Sequence, residues 1–305
     1  MTGSPIPISA GSGNWLAFLV GEDTPLRESI DLVHALFEEP RIRVLDTSNN
    51  YGGGESERRI GLAIREYGGV PDDFLIVTKA DRDSATGEFS GVRMRRSLEE
   101  SRERMGLERF PLLYLHDPEN TTWESAMADD GPVAALVEAR DAGLIGVLGV
   151  AGGPAALMQR YVETGLFDAL ITHNRYTLVD RSADTLLTVA ADRGLHVTNA
   201  APYGGGLLTA WPPPLERYAY APVSEGIRSS AERVADICRR HDVPLAAAAL
   251  NFSLRDPRID RTIVGMRTIG DLAATIELAE TPVPAAVWAE LESVPLATAD
   301  WRDPR

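Results

Sequence analysis

Residues 43–61 read RVLDTSNNYGGGESERRIG. Arg43-Val44-Leu45 has the pattern of a buried strand, and Glu55-Ser56-Glu57-Arg58-Arg59-Ile60-Gly61 that of the opening turns of a helix. Between them stand Asp46, a polar tetrapeptide, Tyr51 and three consecutive glycines. A strand-to-helix connector needs one glycine at most. The other glycines, and a tyrosine five residues past an aspartate, need a second reason.

The same strand–loop–helix unit repeats outward along the chain. Short apolar runs predict strands at 14–20 (NWLAFLV), 42–46, 74–79, 111–116, 145–150, 168–173, 196–201 and 261–265. Amphipathic stretches predict helices at 24–38, 55–67, 90–105, 132–143, 154–164, 182–193, 229–254 (broken near Pro244) and 269–280, with a last one at 282–292. Continuously apolar strands fit a parallel sheet covered on both faces. About eight β-then-α units most simply close into a (β/α)8 TIM barrel, here one domain over residues 1–305. An open doubly wound sheet would carry G-x-G-x-x-G after its first strand. The glycines here follow the second strand without that spacing. A Pro-rich stretch at 210–226 predicts a long loop suited to function.

The bulk composition narrows the partners. Hydrophobic residues make up 44% of the 305 and charged ones 25%, enough for a full core. A net charge of −15 argues against nucleic acid or an anionic membrane as partner, while leaving room for a local pocket that takes one phosphate. The lone cysteine, Cys238, allows neither an internal disulfide nor a Cys-based zinc site, and no metal is expected. No basic-then-apolar leader opens the sequence, and no apolar run reaches membrane-spanning length. The expectation is a cytoplasmic protein, a monomer or small homo-oligomer, acting on a small sugar or carbonyl compound.

In a barrel, catalytic groups stand at the C-terminal ends of the strands. Three successive apolar runs end on an ionisable residue: Asp46, Lys79 in FLIVTK, and His116 in PLLYLH. Tyr51 follows the first by a short loop. Singly, each also fits a surface or packing residue. Adjacent strands would bring all four into one pocket. A phenol titrates at about 10. A nearby Lys79 ammonium would favour phenolate and lower that value, and Asp46 would keep Lys79 charged and oriented. His116 would hydrogen-bond to a carbonyl or hydroxyl oxygen. A tyrosine so placed exchanges a proton with a carbinol oxygen. The hydride, which no side chain exchanges, implies a nicotinamide cofactor.

DTSNNYGGGESERRIGLAI (46–64) resembles the signature of the aldo-keto reductase superfamily, and Asp46, Tyr51, Lys79 and His116 match its Asp, Tyr, Lys, His tetrad in order and context. GLIGVLGVAGG (143–153), NAAPYGGGLLTA (199–210) and TIVGMRTIGDLAATIELAE (262–280) resemble later segments of the family, so the similarity extends over nearly the whole chain. Arg175-Tyr176-Thr177-Leu178 and the His-Asp-Pro at 116–118 are similar to the branch of D-threo-aldose (L-fucose or galactose) 1-dehydrogenases and pyridoxal 4-dehydrogenase. The resemblance implies oxidation of a cyclic hemiacetal to a lactone with NAD(P). The alternatives are NADPH-dependent reduction of aldehydes or ketones and, more distantly, a non-enzymatic sensor of nicotinamide redox state.

The resemblance also implies where a cofactor sits. Asn174 would meet the nicotinamide carboxamide, but the family's Ser-Asn pair after the fifth strand is replaced by Ala151-Gly152-Gly153. Its stacking aromatic is replaced by Ala200, with Tyr203 nearby. Gly204, Gly205 and Leu207 would lie along the pyrophosphate, and Gly265, Met266, Arg267, Thr268, Asp271 and Thr275 around the adenosine end. Arg267 suits a 2′-phosphate and Asp271 a ribose hydroxyl. NADP(H) is the expectation and NAD(H) the alternative. Substrate-facing candidates over the barrel mouth are Trp15, Asn50, Asp117, Trp123, Tyr203 and Trp211, with Tyr218 and Tyr220. The aromatic ones suit stacking on a sugar ring as well as packing within a loop.

Overall fold

The computed structural model describes residues 5–16 and 22–296. Eight parallel strands close into a barrel: β1 Ile8–Gly11, β2 Val44–Asp46, β3 Leu75–Ala80, β4 Phe110–His116, β5 Ile145–Gly152, β6 Ala169–His173, β7 His196–Ala200 and β10 Arg261–Gly265. Each pairs with its neighbour in the chain, and β10 closes on β1. A short antiparallel pair, β8 Arg217–Tyr218 and β9 Ala221–Pro222, is inserted before the last barrel strand. The helices are α1 Leu26–Glu38, α2 Glu55–Tyr67, α3 Gly91–Met105, α4 Trp123–Ala126, α5 Pro132–Asp141, α6 Ala155–Glu163, α7 Asp184–Asp192, α8 Glu225–Arg240, α9 Leu245–Leu254, α10 Ile269–Glu280 and α11 Ala285–Glu292.

The unbroken apolar strands are explained by two apolar layers. Leu45, Leu113, Leu148, Leu170 and Val197 belong to the cluster shared with the helices. Val44, Val77, Tyr114, Ala169, Ile171 and Ile263 form a separate cluster within the barrel. Alternate residues of one strand thus serve opposite faces. Each large aliphatic side chain so buried stabilises the fold by about 1.5–3 kcal/mol. Local signals set the boundaries. Ser90 accepts the Arg93 N–H at the head of α3, and Gly106 ends that helix in a left-handed conformation. The expected 229–254 helix divides into α8 and α9 at Pro244, which has no N–H with which to continue a helix.

The first strand differs from expectation. It is Ile8–Gly11, not 14–20, with Ile8 and Ala10 in the outer layer and Ser9 lining the barrel interior. The small and polar ISAG segment is fixed by pairing on both sides, to β10 and β2, rather than by apolarity. Trp15 and Leu16 lie in the loop that follows, and residues 17–20 of the expected strand lie outside the described residues.

Candidate active site

Strand register builds the site. Asp46 at the end of β2 pairs with Val77 of β3. Lys79 stands two residues further along β3, on the same face, and pairs with Tyr114 of β4. His116 stands two beyond that. The three ionisable groups therefore climb one inward step per strand around one side of the barrel mouth.

The glycine run returns Tyr51 to this staircase. Gly52, Gly53 and Gly54 take φ of 60°, 63° and 88°, and Gly54 caps α2. Three successive left-handed residues are strained for anything but glycine. A Cβ at Gly52 would also collide with the Leu16 side chain, and one at Gly54 with the Arg104 guanidinium. The loop reverses within three residues and sets Tyr51 over Lys79.

The Lys79 ammonium donates to Asp46 Oδ1 (2.6 Å) and to the Thr47 carbonyl (2.7 Å), and lies 3.3 Å from Tyr51 Oη. Lys79 and Asp46 are both buried. Burial pushes the Asp46 carboxyl above its ordinary range, against the pull of Lys79. Tyr51 departs from the expected direction. Burial first, then the carboxylates of Asp46, Asp117 and Asp81, raise its phenol well above the ordinary value. The reason is that Asp46 sits closer to the ammonium than the phenol does, and two further carboxylates face the ring from the other side.

Those two carboxylates flank His116. Asp81 Oδ1 lies 2.7 Å from its Nδ1, and Asp117 Oδ1 3.5 Å from its Nε2. The imidazole stands edge-on to Tyr51, with ring centroids 5.9 Å apart. Burial opposes charge on His116, yet Asp117 and Asp81 carry its pKa from 6.5 up to about 9. Asp81 was not among the sequence candidates, although it lies two residues after Lys79, one past the end of β3. Ser48, which donates to Asp81, was missed with it.

The cofactor candidates fall in the turns around the mouth and at the end of β10. Asn174 follows β6 in a left-handed conformation (φ 57°), buried, with its Oδ1 lacking any hydrogen-bond partner among the described residues. Glu119, in the turn after β4, was also missed. It accepts the Gly153 N–H through Oε1 (2.9 Å), and its buried Oε2 has no partner among the described residues. A Cβ at Gly152 would lie 2.8 Å from that Oε2, so Glu119 fills the space that a longer side chain at 152 would need. Burial and Asp117 raise the Glu119 carboxyl.

The remaining cofactor candidates divide. Gly204 and Gly205 have positive φ, but Tyr218 and Ala219 fill the space beside them, so their smallness serves that packing. Leu207 and Met266 are fully buried, and Thr275 is buried in α10. Gly265 ends β10 against Asn14. Arg267 reaches Thr24 Oγ1 (3.1 Å) and the Glu22 carbonyl (3.3 Å). Asp271 and Thr268 form a capping box: Asp271 Oδ2 accepts the backbone N–H of Arg267 (2.7 Å) and of Thr268 (3.1 Å). That oxygen is engaged as a helix cap and is not free for a ribose hydroxyl.

Several substrate candidates prove to be packing residues. Trp15 is wholly buried and its indole N–H donates to the Met266 carbonyl (2.6 Å), so it offers no face to a sugar. Tyr218 is likewise buried, donating to the Asn174 carbonyl. Trp123 packs on Tyr161, under the Arg160 guanidinium. The Asn50 amide donates to the Arg82 carbonyl, within its own loop cluster. Tyr203 is packed against the outer core, and its buried hydroxyl has no partner among the described residues. Trp211 is half-buried, with the Arg228 guanidinium 5.8 Å from its ring. Asp117 alone combines partial exposure with contact to the staircase. Among the described residues, no cluster of His, Cys, Asp and Glu could hold a metal, and no helix is long and apolar enough to cross a membrane.

A closed (β/α)8 barrel whose mouth sets a tyrosine on a buried Lys–Asp pair beside a histidine places the chain among the barrel oxidoreductases. The Aldo/keto reductase family matches residues 10–295, and the chain belongs to that family. It is 33% identical over 276 residues to a D-threo-aldose 1-dehydrogenase of a Pseudomonas species, covering 82% of this chain and 83% of that one. It is 26% identical over 269 residues to an L-galactose dehydrogenase of Arabidopsis thaliana (85% and 82%). It is 27% identical over 290 residues to a pyridoxal 4-dehydrogenase of Microbacterium luteolum (83% and 84%). A solved structure assigned to the aldo-keto reductases, from Pseudomonas aeruginosa, superposes with a TM-score of 0.64 over 90% of this chain and 88% of its own, at 21% identity, a likeness of fold alone.

Proposed function

We propose that the chain oxidises an aldose, or a related cyclic hemiacetal, at C1 to a lactone with a nicotinamide cofactor. The observation that carries this reading is the Asp46–Lys79–Tyr51 cluster facing His116, with the Asp117 carboxylate open beside it to accept sugar hydroxyls. Similarity to three dehydrogenases, two of them named for sugars, supports the choice of substrate class.

The residues present fit a nicotinamide. Its carboxamide N–H2 needs acceptors, and two buried acceptors lacking partners among the described residues, Asn174 Oδ1 and Glu119 Oε2, belong to the segments that follow β6 and β4. When bound, the nicotinamide supplies hydride acceptance or donation. The chain supplies the proton chemistry. Tyr51 Oη takes the hydroxyl proton in oxidation and returns it in reduction, Lys79 steadies the phenolate, and His116 orients the oxygen. For the adenosine end we favour NAD(H) over the NADP(H) expected from Arg267. Asp271 already occupies the N–H groups of Arg267 and Thr268, and Glu22 faces the guanidinium.

A second reading, reduction of aldehydes or ketones, is favoured by the raised pKa of Tyr51, which holds the phenol as a proton donor. An absorbance screen with NADH, NADPH and their oxidised forms separates the two. The dehydrogenase reading expects a higher kcat/KM for L-galactose or L-fucose oxidation than for aromatic aldehyde reduction. The reverse order would establish the reductase, and no turnover in either direction would overturn both.

A further inference from the structure

The carboxylate behind His116 carries the next step. Asp81 is 4% exposed. Its Oδ2 accepts from Ser48 Oγ and from the Asn50 N–H (3.0 Å), and its Oδ1 faces His116 Nδ1 at 2.7 Å. Its backbone is tied to α3 on both sides. The Asp81 N–H donates to Ser97 Oγ (3.0 Å), and Arg93 Nε donates to the Asp81 carbonyl (3.0 Å). Burial works against the charge of Asp81, but His116, Ser48 and the Asn50 N–H outweigh it and hold the carboxyl below its ordinary range.

An ionised carboxylate can only accept. At 2.7 Å it requires the proton on Nδ1, which removes one of the two neutral tautomers of His116. The other nitrogen, Nε2, then has two states. In the imidazolium it donates, and in the neutral ring it can only accept. A histidine without this carboxylate could remain neutral and still donate from Nε2.

We propose that Asp81 is a positioning residue that makes His116 a charge-dependent switch. As imidazolium, His116 donates from Nε2 to a carbonyl oxygen and favours reduction. Once neutral, Nε2 carries no proton, that hydrogen bond is lost, and reduction declines as the ring deprotonates. The inference rests on His116 facing the reacting oxygen, as in the reading above. The groups that bear on its titration are Asp81 and Lys79 from the β3 side, Asp117 from its own loop, Asp46 from β2, and the Tyr51 phenol across the ring. The carboxylates favour the charged ring and Lys79 opposes it.

Proton-detected 15N spectra of histidine-labelled protein, with no cofactor or substrate, test the switch directly. The chain has five histidines, and the signal lost in His116→Gln identifies the ring. The neutral ring is expected to carry its proton on Nδ1 and to titrate well above about 6.5. A neutral ring protonated on Nε2, or a midpoint at or below about 6.5, overturns the proposal. In Asp81→Asn the midpoint should fall by at least about one pH unit, and the pH at which carbonyl reduction declines should fall with it. An unmoved midpoint overturns the proposal. If that variant does not fold, the wild-type tautomer decides alone. Because the spectra need no turnover, a chain inactive on sugars and aldehydes would count against the proposed function and leave the state of His116 measurable.

Discussion

Two parts of the barrel mouth, its strand ends and its turns, are built differently. At the ends of β2–β4, Asp46, Lys79 and His116 are strand residues whose positions follow from register, and the Lys79–Asp46 ion pair and the His116–Asp81 contact are already made. In the turns after β6 and β4, Asn174 and Glu119 keep buried acceptor atoms without partners among the described residues, while Asp271 seals the head of α10. In the first the polar groups are already paired with one another; in the second, acceptor atoms are buried without such pairing. Acid–base chemistry needs fixed distances, which strands supply. Ligand recognition needs shape at the ends of loops, where a chain can vary without disturbing the barrel.

The sharpest break in this contrast is Tyr51→Phe. Removing the hydroxyl should lower kcat about 10²–10⁴-fold while cofactor affinity, read by quenching of protein fluorescence, stays near wild type. Equal losses in both would mean that the two parts are not separate. Next comes Lys79→Met, which leaves Asp46 buried opposite an apolar chain. A loss of about 3–5 kcal/mol in urea unfolding is expected, because an uncompensated buried charge is costly. Glu119→Ala addresses the turns. It should weaken NADH binding about tenfold, the worth of one hydrogen bond involving a charged group, with kcat little changed. Unaltered binding would remove Glu119 from the cofactor site. The smallest effect is expected for Asp271→Ala. Freeing the N–H groups of Arg267 and Thr268 should shift the NADPH-to-NADH affinity ratio towards NADPH by about a few fold, with about 1 kcal/mol of cap energy lost. A shift towards NADH would show that Asp271 does not exclude the phosphate.

What was legible in the sequence follows the same division. Strand period and apolar burial repeat along the chain, so the eight-unit barrel and the groups ending the second, third and fourth strands could be read directly. Asp81 was within reach of that logic, being two residues past Lys79, but lies just beyond the last apolar residue of its strand. The first strand was misread because ISAG owes its place to two neighbouring strands rather than to its own hydrophobicity. For Trp15 the sequence left stacking on a sugar and packing within a loop both open, because composition cannot say which face of a loop is covered. The indole is buried and its N–H is bonded to a carbonyl 251 residues away.

The sequence by itself therefore determined the barrel, the tetrad residues and the turn that brings Tyr51 back. These depend on local periodicity and on a glycine run whose left-handed backbone few other residues tolerate. Only the tertiary structure decided that Tyr51 sits among three carboxylates, that Asp81 Oδ1 stands 2.7 Å from His116 Nδ1, and that Glu119 fills the space beside Gly152. Those are relations between residues far apart in the chain, set by barrel closure and by burial, which strengthens the action of charges on one another.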